Sequence, residues 1–151
     1  MKTRGGGVAW YFKDSVNVIL RDEINNDKFP EAIFCTVESN SEKTLLGLCY
    51  RPPDSSAEND EGLFNLFEQA CNENNNCVIL GDFNFGELVW NREETLADDH
   101  PLINCTNENF LHQLVTEPSR ENNFLDLIFS SDENIIEGIA VGEPYVIRTV
   151  I

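Results

Sequence analysis

The sequence is poor in positive charge. Ten Lys and Arg stand against 27 Asp and Glu, a formal net charge of −17 over 151 residues. The shortage is local. Residues 1–51 hold seven basic and seven acidic residues, whereas residues 52–151 hold only Arg92, Arg120 and Arg148 against 20 acids. Charge alone therefore argues against a protein that grips nucleic acid by broad phosphate neutralisation, and its plain reading is an acidic, solvated surface. No apolar run approaches the ~20 residues of a membrane span. The first seven residues contain no apolar stretch of the secretory type. There is no CxxC pair and no histidine at zinc-finger spacing. The five cysteines are an odd number, so reduced thiols and an intracellular setting, nuclear or cytoplasmic, are expected. Without a leader, the sequon Asn104-Cys105-Thr106 is expected to stay unmodified. No Ser/His/Asp order, phosphate-binding glycine loop or internal repeat is present.

What is there suffices for a folded domain. Hydrophobic residues make up 41% and aromatics 10%, which excludes a disordered acidic tail. The length fits one domain, residues 1–151, that can bury about 70% of its unfolded surface. Gly5-Gly6-Gly7 opens the ordered part, and the pattern then predicts a hairpin of strands over 8–12 and 16–21. Two more strands are expected over 32–37 and 44–50, the second stopped by Pro52-Pro53. Ser55-Ser56-Ala57-Glu58 has the form of a capping box, and Leu63, Phe64, Leu66, Phe67 and Ala70 mark one face of a helix. Residues 77–80 form a fully apolar run, the pattern of a strand buried on both faces. The acidic stretch 85–106 reads as a loop and 107–114 as a short helix, with His112 on its surface. Strands follow over 125–130 and 135–141. This alternation predicts an α/β or α+β layered domain.

Three features could carry chemistry. The strand 77–80 runs into Gly81-Asp82-Phe83-Asn84. It delivers a carboxylate and a carboxamide two residues apart, on one side of an extended segment. Ligand sites favour the carboxyl ends of buried strands. Asp82 could orient or deprotonate a water and Asn84 could hold a phosphate oxygen or a metal-bound water; an ordinary Asx turn is the alternative. In Leu48-Cys49-Tyr50-Arg51-Pro52-Pro53 a strand-end tyrosine is locked by prolines. It either presents its hydroxyl to a ligand or is a core aromatic with a wet tip. Asp126 sits inside the apolar Asn123-Phe124-Leu125-Asp126-Leu127-Ile128-Phe129. A buried carboxylate needs a partner, so Asp126 orients a histidine, pairs with Arg120, or lies on a partly exposed face. Neither His100, before Pro101, nor His112 is placed to serve it.

Together these residues resemble the endonuclease/exonuclease/phosphatase family, and within it the endonuclease domain of non-LTR, LINE-type retrotransposons. The resemblance rests on Arg4-Gly5-Gly6-Gly7-Val8-Ala9, Tyr50-Arg51-Pro52-Pro53, Gly81-Asp82-Phe83-Asn84 and Asn123 to Phe129, with Val141-Gly142-Glu143-Pro144 a weaker match. It implies a two-sheet β-sandwich flanked by helices that hydrolyses phosphodiesters with Mg²⁺. By that resemblance Asp82 activates the attacking water, Asn84 holds the phosphate, Tyr50 contacts it and Asp126 orients a catalytic histidine. Asp82 and Asn84 are the remaining metal-binding positions. Arg51 and Arg120 would form a basic rim for DNA, the implied partner, and the parent protein would carry a reverse transcriptase domain. The pattern departs at both ends. Met1-Lys2-Thr3 stands where the family has an Asn and a metal-binding Glu, and residues 145–151 stand where it has Ser-Asp-His. The expectation is thus an incomplete sandwich, lacking the first strands and the last, with reduced or no DNA-nicking activity. A non-catalytic acidic remnant or binding module is the alternative. A lipid or inositol-phosphate phosphatase branch fits the Tyr50-Arg51-Pro52-Pro53 and Asn123 to Phe129 motifs less well.

Overall fold

The computed structural model describes residues 7–29, 31–39, 41–73, 76–88, 90, 99–141 and 147–150. Met1-Lys2-Thr3, Arg4-Gly5-Gly6, Gly142-Glu143-Pro144 and residue Arg92 lie outside them. Strands β1 (Asn17–Leu20), β2 (Ala32–Ser39), β3 (Glu42–Tyr50), β4 (Cys77–Asp82), β5 (His112–Gln113) and β6 (Asp126–Ser130) make one sheet. Their order is β1-β2-β3-β4-β6-β5. Helix α1 (Ala57–Glu73) links β3 to β4, and α2 (Pro101–Glu108) precedes β5. Strands β7 (Gly138–Val141) and β8 (Ile147–Val150) pair as a second, two-stranded sheet. The architecture is the expected mixed α/β one, with its second sheet represented by this pair.

The linkage β3-α1-β4 makes β3 and β4 parallel, while β6 returns antiparallel on the other side of β4. Strand β4 is therefore central, as its unbroken apolar sequence anticipates. Helix α1 starts where Ser56 Oγ accepts the Asn59 N–H at 3.2 Å, an N-cap bond that satisfies one of the free amides of the first turn. Glu58 and Asp60 lie in that turn, where negative charge complements the helix dipole. Leu63, Leu66, Phe67 and Ala70 are buried against the sheet. There Phe67 meets Phe83 and Phe129 edge-on, with ring centroids 6.0 and 5.6 Å away, and Phe83 meets Phe129 at 5.5 Å. Phe83 is the third residue of Gly81-Asp82-Phe83-Asn84, so this aromatic cluster anchors the chain just beyond β4 in the core.

Strands β5 and β8 have no counterpart in the sequence expectation, the strand expected over 135–141 is shortened to Gly138–Val141 behind a 3-10 turn at Glu133–Ile135, and two further segments differ in kind or place. Residues 8–12 form no strand. Trp10 and Phe12 stack at 5.6 Å and pack partly buried against the core, and the Trp10 indole N–H reaches the Ile33 carbonyl at 3.4 Å. Aromatic contact lays this segment over the sheet face, and β1 pairs with β2 instead of with it. The helix expected over 107–114 lies at Pro101–Glu108. His100 caps it by accepting the Leu102 N–H on Nδ1 at 3.2 Å, and Pro101 takes the first-turn place that suits it. The helix ends in a left-handed Phe110 (φ 54°), with the Leu111 N–H reaching back to the Thr106 carbonyl at 2.9 Å. His112 consequently lies in β5, opposite Ser130. All five cysteines are free thiols, four of them buried.

Gly81 fixes how closely β4 approaches β3. A Cβ there would sit 1.8 Å from the Cys49 carbonyl oxygen, inside any allowed contact, whereas Gly86 faces open space. Gly81→Ala is expected to cost ~3 kcal/mol or more and to lower Tm by about 6–12 °C, while Gly86→Ala shifts it by about 2 °C at most. Thermal unfolding of the two variants followed by circular dichroism checks this.

Candidate active site

The register of three strands assembles the site. Tyr50 at the end of β3 is paired with Asp82 at the end of β4, and Asp82 is paired with Asp126 at the start of β6. Paired positions point to the same face with Cβ atoms about 5 Å apart, so a phenol and two carboxylates stand in one row. All three are partly buried. Three of the residues singled out from the sequence are thus neighbours, from strands of opposite direction.

Asp82 is the centre of the row. Its side chain is 18% exposed, and Oδ2 accepts from the Arg120 guanidinium at 3.4 Å. Its other oxygen, Oδ1, is buried and accepts no hydrogen bond from any described residue. Burial pushes the Asp82 carboxyl above its ordinary value, and the Asp126 charge adds to the rise. Arg120 and the amides of Asn84 oppose it. Such a carboxylate keeps a lone pair available for a water proton or a cation.

Asn84 follows in the left-handed conformation (φ 50°) that asparagine tolerates better than most residues. Its Nδ2 donates to the Arg51 carbonyl at 2.8 Å. The turn Arg120-Glu121-Asn122-Asn123, closed by the Asn123 N–H on the Arg120 carbonyl at 2.8 Å, brings Arg120 over the row with half its side chain exposed. Ser119 Oγ takes the N–H groups of Leu125 and Asp126 at 3.2 and 3.1 Å, fixing the entry into β6.

Arg51 differs from its expected place on a basic rim. It is 7% exposed. Its guanidinium grips Asp60 of α1 through Nε at 2.7 Å and Nη2 at 2.9 Å, and lies 3.8 Å from the centre of the Phe85 ring. Nη1 donates to the carbonyls of Phe83 and Asn84 at 3.3 and 3.2 Å. A charge held this way faces Asp60, and the pair's geometry withdraws it from solvent. Burial alone would raise the Asp60 carboxyl, but hydrogen bonds from Arg51 and Ser55, with the charges of Arg51 and His100, hold it below its ordinary value. The sequence singles out neither Asp60 nor Phe85, and it offers His100 only as a histidine remote from Asp126. The His100 ring stands edge-on to Phe85 at 4.9 Å, with Nε2 3.3 Å from Glu87. Arg51 and Asp60 lie nine positions apart in the chain, and no local pattern links them.

His112 pairs with Glu133 at 3.6 Å, and its strand partner Ser130 is four residues along β6 from Asp126, about 13 Å away. Neither described histidine therefore serves Asp126. Among the described residues no cluster of three or more His, Cys, Asp or Glu side chains could hold a metal. Two carboxylates and a carboxamide with one buried, unpartnered oxygen still fit Mg²⁺, which commonly takes one or two protein carboxylates and keeps several waters.

The model of the family described as endonuclease-reverse transcriptase matches residues 44–146, a stretch that includes Tyr50, Arg51, Asp82, Asn84, Arg120 and Asp126. The chain belongs to the endonuclease-reverse transcriptase family. Its fold is that of a solved endonuclease domain, that of TRAS1, a telomere-specific non-LTR retrotransposon. The two superpose with a TM-score of 0.66 at 18% identity, over 85% of this chain and 61% of that one. This chain thus spans about 61% of the length of that domain structure. A β-hairpin deletion mutant of beta toxin from Staphylococcus aureus and a further structure of that toxin align with TM-scores of 0.41 and 0.39. Their identities are 10% and 11%, over 66% of this chain and 43% and 42% of theirs, scores too low to carry a structural argument. No curated protein matches the chain. Among the described residues no helix is long and apolar enough to cross a membrane.

The shared burial of Asp82 and Asp126 has a measurable consequence. In a ¹³C titration of the carboxyls, Asp82 is expected to protonate above the ordinary 3.8, to move back toward it in Asp126→Asn, and to move further up in Arg120→Ala. Because its folded pKa is raised, Asp82 stabilises the fold at low pH and loses that contribution as pH rises through the folded value.

Proposed function

We propose that the row Tyr50–Asp82–Asp126, with Asn84, is the phosphodiester-hydrolysing site of a retrotransposon-type endonuclease that nicks DNA. The observation that carries this reading is the buried, unpartnered Oδ1 of Asp82, on a carboxyl pushed up first by burial and then by the Asp126 charge. Family membership supports the reaction class. Asp82 accepts the proton of the attacking water through Oδ1 and aims that water at phosphorus. Tyr50 donates its hydroxyl hydrogen to a non-bridging phosphate oxygen, and the Asn84 amide steadies the same group. Asp126 keeps Asp82 basic and supplies the second carboxylate of the row. Arg120, half exposed beside Asp82, meets the DNA backbone, while Arg51 acts from beneath the site. Asp82 and Asn84, with Asp126 nearby, would hold Mg²⁺ through its waters, and the ion would supply charge neutralisation at the phosphate. A linked reverse transcriptase domain in the parent protein and residues 1–151 as part of one domain belong to the same proposal.

A second reading, a non-catalytic acidic module of the same fold, is favoured by one observation: neither described histidine reaches Asp126. The two separate cleanly. Incubated with supercoiled plasmid, the chain is expected to produce nicked circles slowly and only with Mg²⁺. Asp82→Ala is expected to reduce the rate at least about 100-fold, the scale lost when a positioned base is removed. Absence of nicking at micromolar protein, or nicking indifferent to Asp82→Ala, refutes the endonuclease reading and leaves the module.

A further inference from the structure

The described residues hold one buried ionic device that the proposed chemistry does not use, Arg51 with Asp60. The side chains are 9% and 18% exposed, and the guanidinium satisfies donors on both sides at once. Toward α1 it forms the two-pronged pair with Asp60 Oδ1 and Oδ2. Asp60 is itself set by Ser55, whose Oγ donates to Oδ1 at 2.6 Å and accepts from Asn59 Nδ2 at 2.6 Å. Toward the site, Arg51 touches every residue from 82 to 85. Its backbone N–H donates to the Asp82 carbonyl at 2.8 Å, and its carbonyl accepts from the Asn84 side chain at 2.8 Å. Its Nη1 bridges the Phe83 and Asn84 carbonyls, and its plane covers the Phe85 ring.

We propose that Arg51 and Asp60 are positioning residues, a clamp through which the first turn of α1 sets the conformation of residues 82–85 and so aims Asp82 and Asn84. The clamp explains a local anomaly. Asn84 adopts φ 50°, which costs a non-glycine residue energy unless its surroundings enforce it. Two bonds from the same arginine enforce it, one to the Asn84 carbonyl and one from the Asn84 amide. Two carbonyls converging on one Nη1 also need a fork whose remaining nitrogens are anchored elsewhere. Asp60 is that anchor, and its carboxyl is held ionised by the guanidinium it orients. Lysine could supply the charge but not the planar, multi-pronged donor set.

The clamp's role in aiming rests on the proposed hydrolytic site, whereas its hold on residues 82–85 does not, and the test keeps the two apart. Hydrogen–deuterium exchange is measured on the full chain for wild type, Asp60→Asn, Asp60→Glu and Arg51→Lys, with plasmid nicking in Mg²⁺ measured in parallel. In Asp60→Asn and Arg51→Lys the amides of residues 83–85 are expected to exchange at least tenfold faster, with those of β2 and β3 unchanged within twofold. Asp60→Glu is expected to restore much of the protection. In the nicking arm kcat falls at least tenfold with KM within threefold of wild type, and Asp60→Glu recovers part of it. Acceleration spread evenly over the sheet, or none at residues 83–85, overturns the clamp, because a merely stabilising ion pair would act globally. If wild type does not nick, the endonuclease reading falls and the exchange arm still decides the clamp. If exchange responds locally but kcat does not, the clamp holds the loop without aiming catalytic groups, and the positioning proposal is overturned.

Discussion

Everything that the site depends on follows from the register of one strand. Strand β4 lies parallel to β3 and antiparallel to β6, and that register alone puts Tyr50, Asp82 and Asp126 in line. A slip of one residue would turn Asp82 to the face packed on α1 and replace it with Gly81. The register is held from one face and from the neighbouring strand. On the α1 side, Phe67, Phe83 and Phe129 interlock in edge-to-face contacts, and a shift of β4 would separate all three. Against β3, Gly81 permits a backbone approach that no side chain at that position allows.

That packing explains why the polar groups tolerate burial. A carboxylate at the end of a central strand loses water, which raises its pKa, and the second carboxylate beside it raises it again. Arg120 compensates one oxygen of Asp82 and leaves the other without a donor. An unsatisfied buried acceptor costs about 1–3 kcal/mol, and proteins tend to keep such groups where a ligand will meet them. The same local economy governs Arg51. Its pair with Asp60 is bidentate and further bonded to two carbonyls, the geometry in which a buried ion pair recovers its desolvation. One arginine is thus buried against residues 83–85 and the other lies half exposed beside Asp82.

Much of this is legible in the sequence, for identifiable reasons. The apolar run before Gly81 points to a central strand, because four consecutive apolar residues, too short for a helix and stopped by glycine, suit a strand covered on both faces. The helix after Pro53 announces itself by its cap and its apolar face. The row of Tyr50, Asp82 and Asp126 could be suspected only because motif order resembles a known family, since register is a non-local property. The burial of Arg51 is hidden for the same reason. A strand-end arginine before two prolines reads as exposed, and only the tertiary fold brings Asp60 and Phe85 around it. Residues 8–12 have strand composition but are held by aromatic packing. The α2 boundary is hidden because His100-Pro101 sits within an acidic, loop-like stretch, although proline at a first turn is a helix signal.

The proposed function requires the Asp82 row to take a divalent cation and a phosphate on an otherwise diffusely acidic chain. A Mg²⁺ titration followed by NMR at residue resolution tests it most directly. The account predicts saturable shifts centred on Asp82, Asn84 and Asp126, abolished in Asp82→Asn while the remaining acidic surface responds only weakly. Shifts spread over the acidic surface, unsaturated and unchanged in Asp82→Asn, would contradict it.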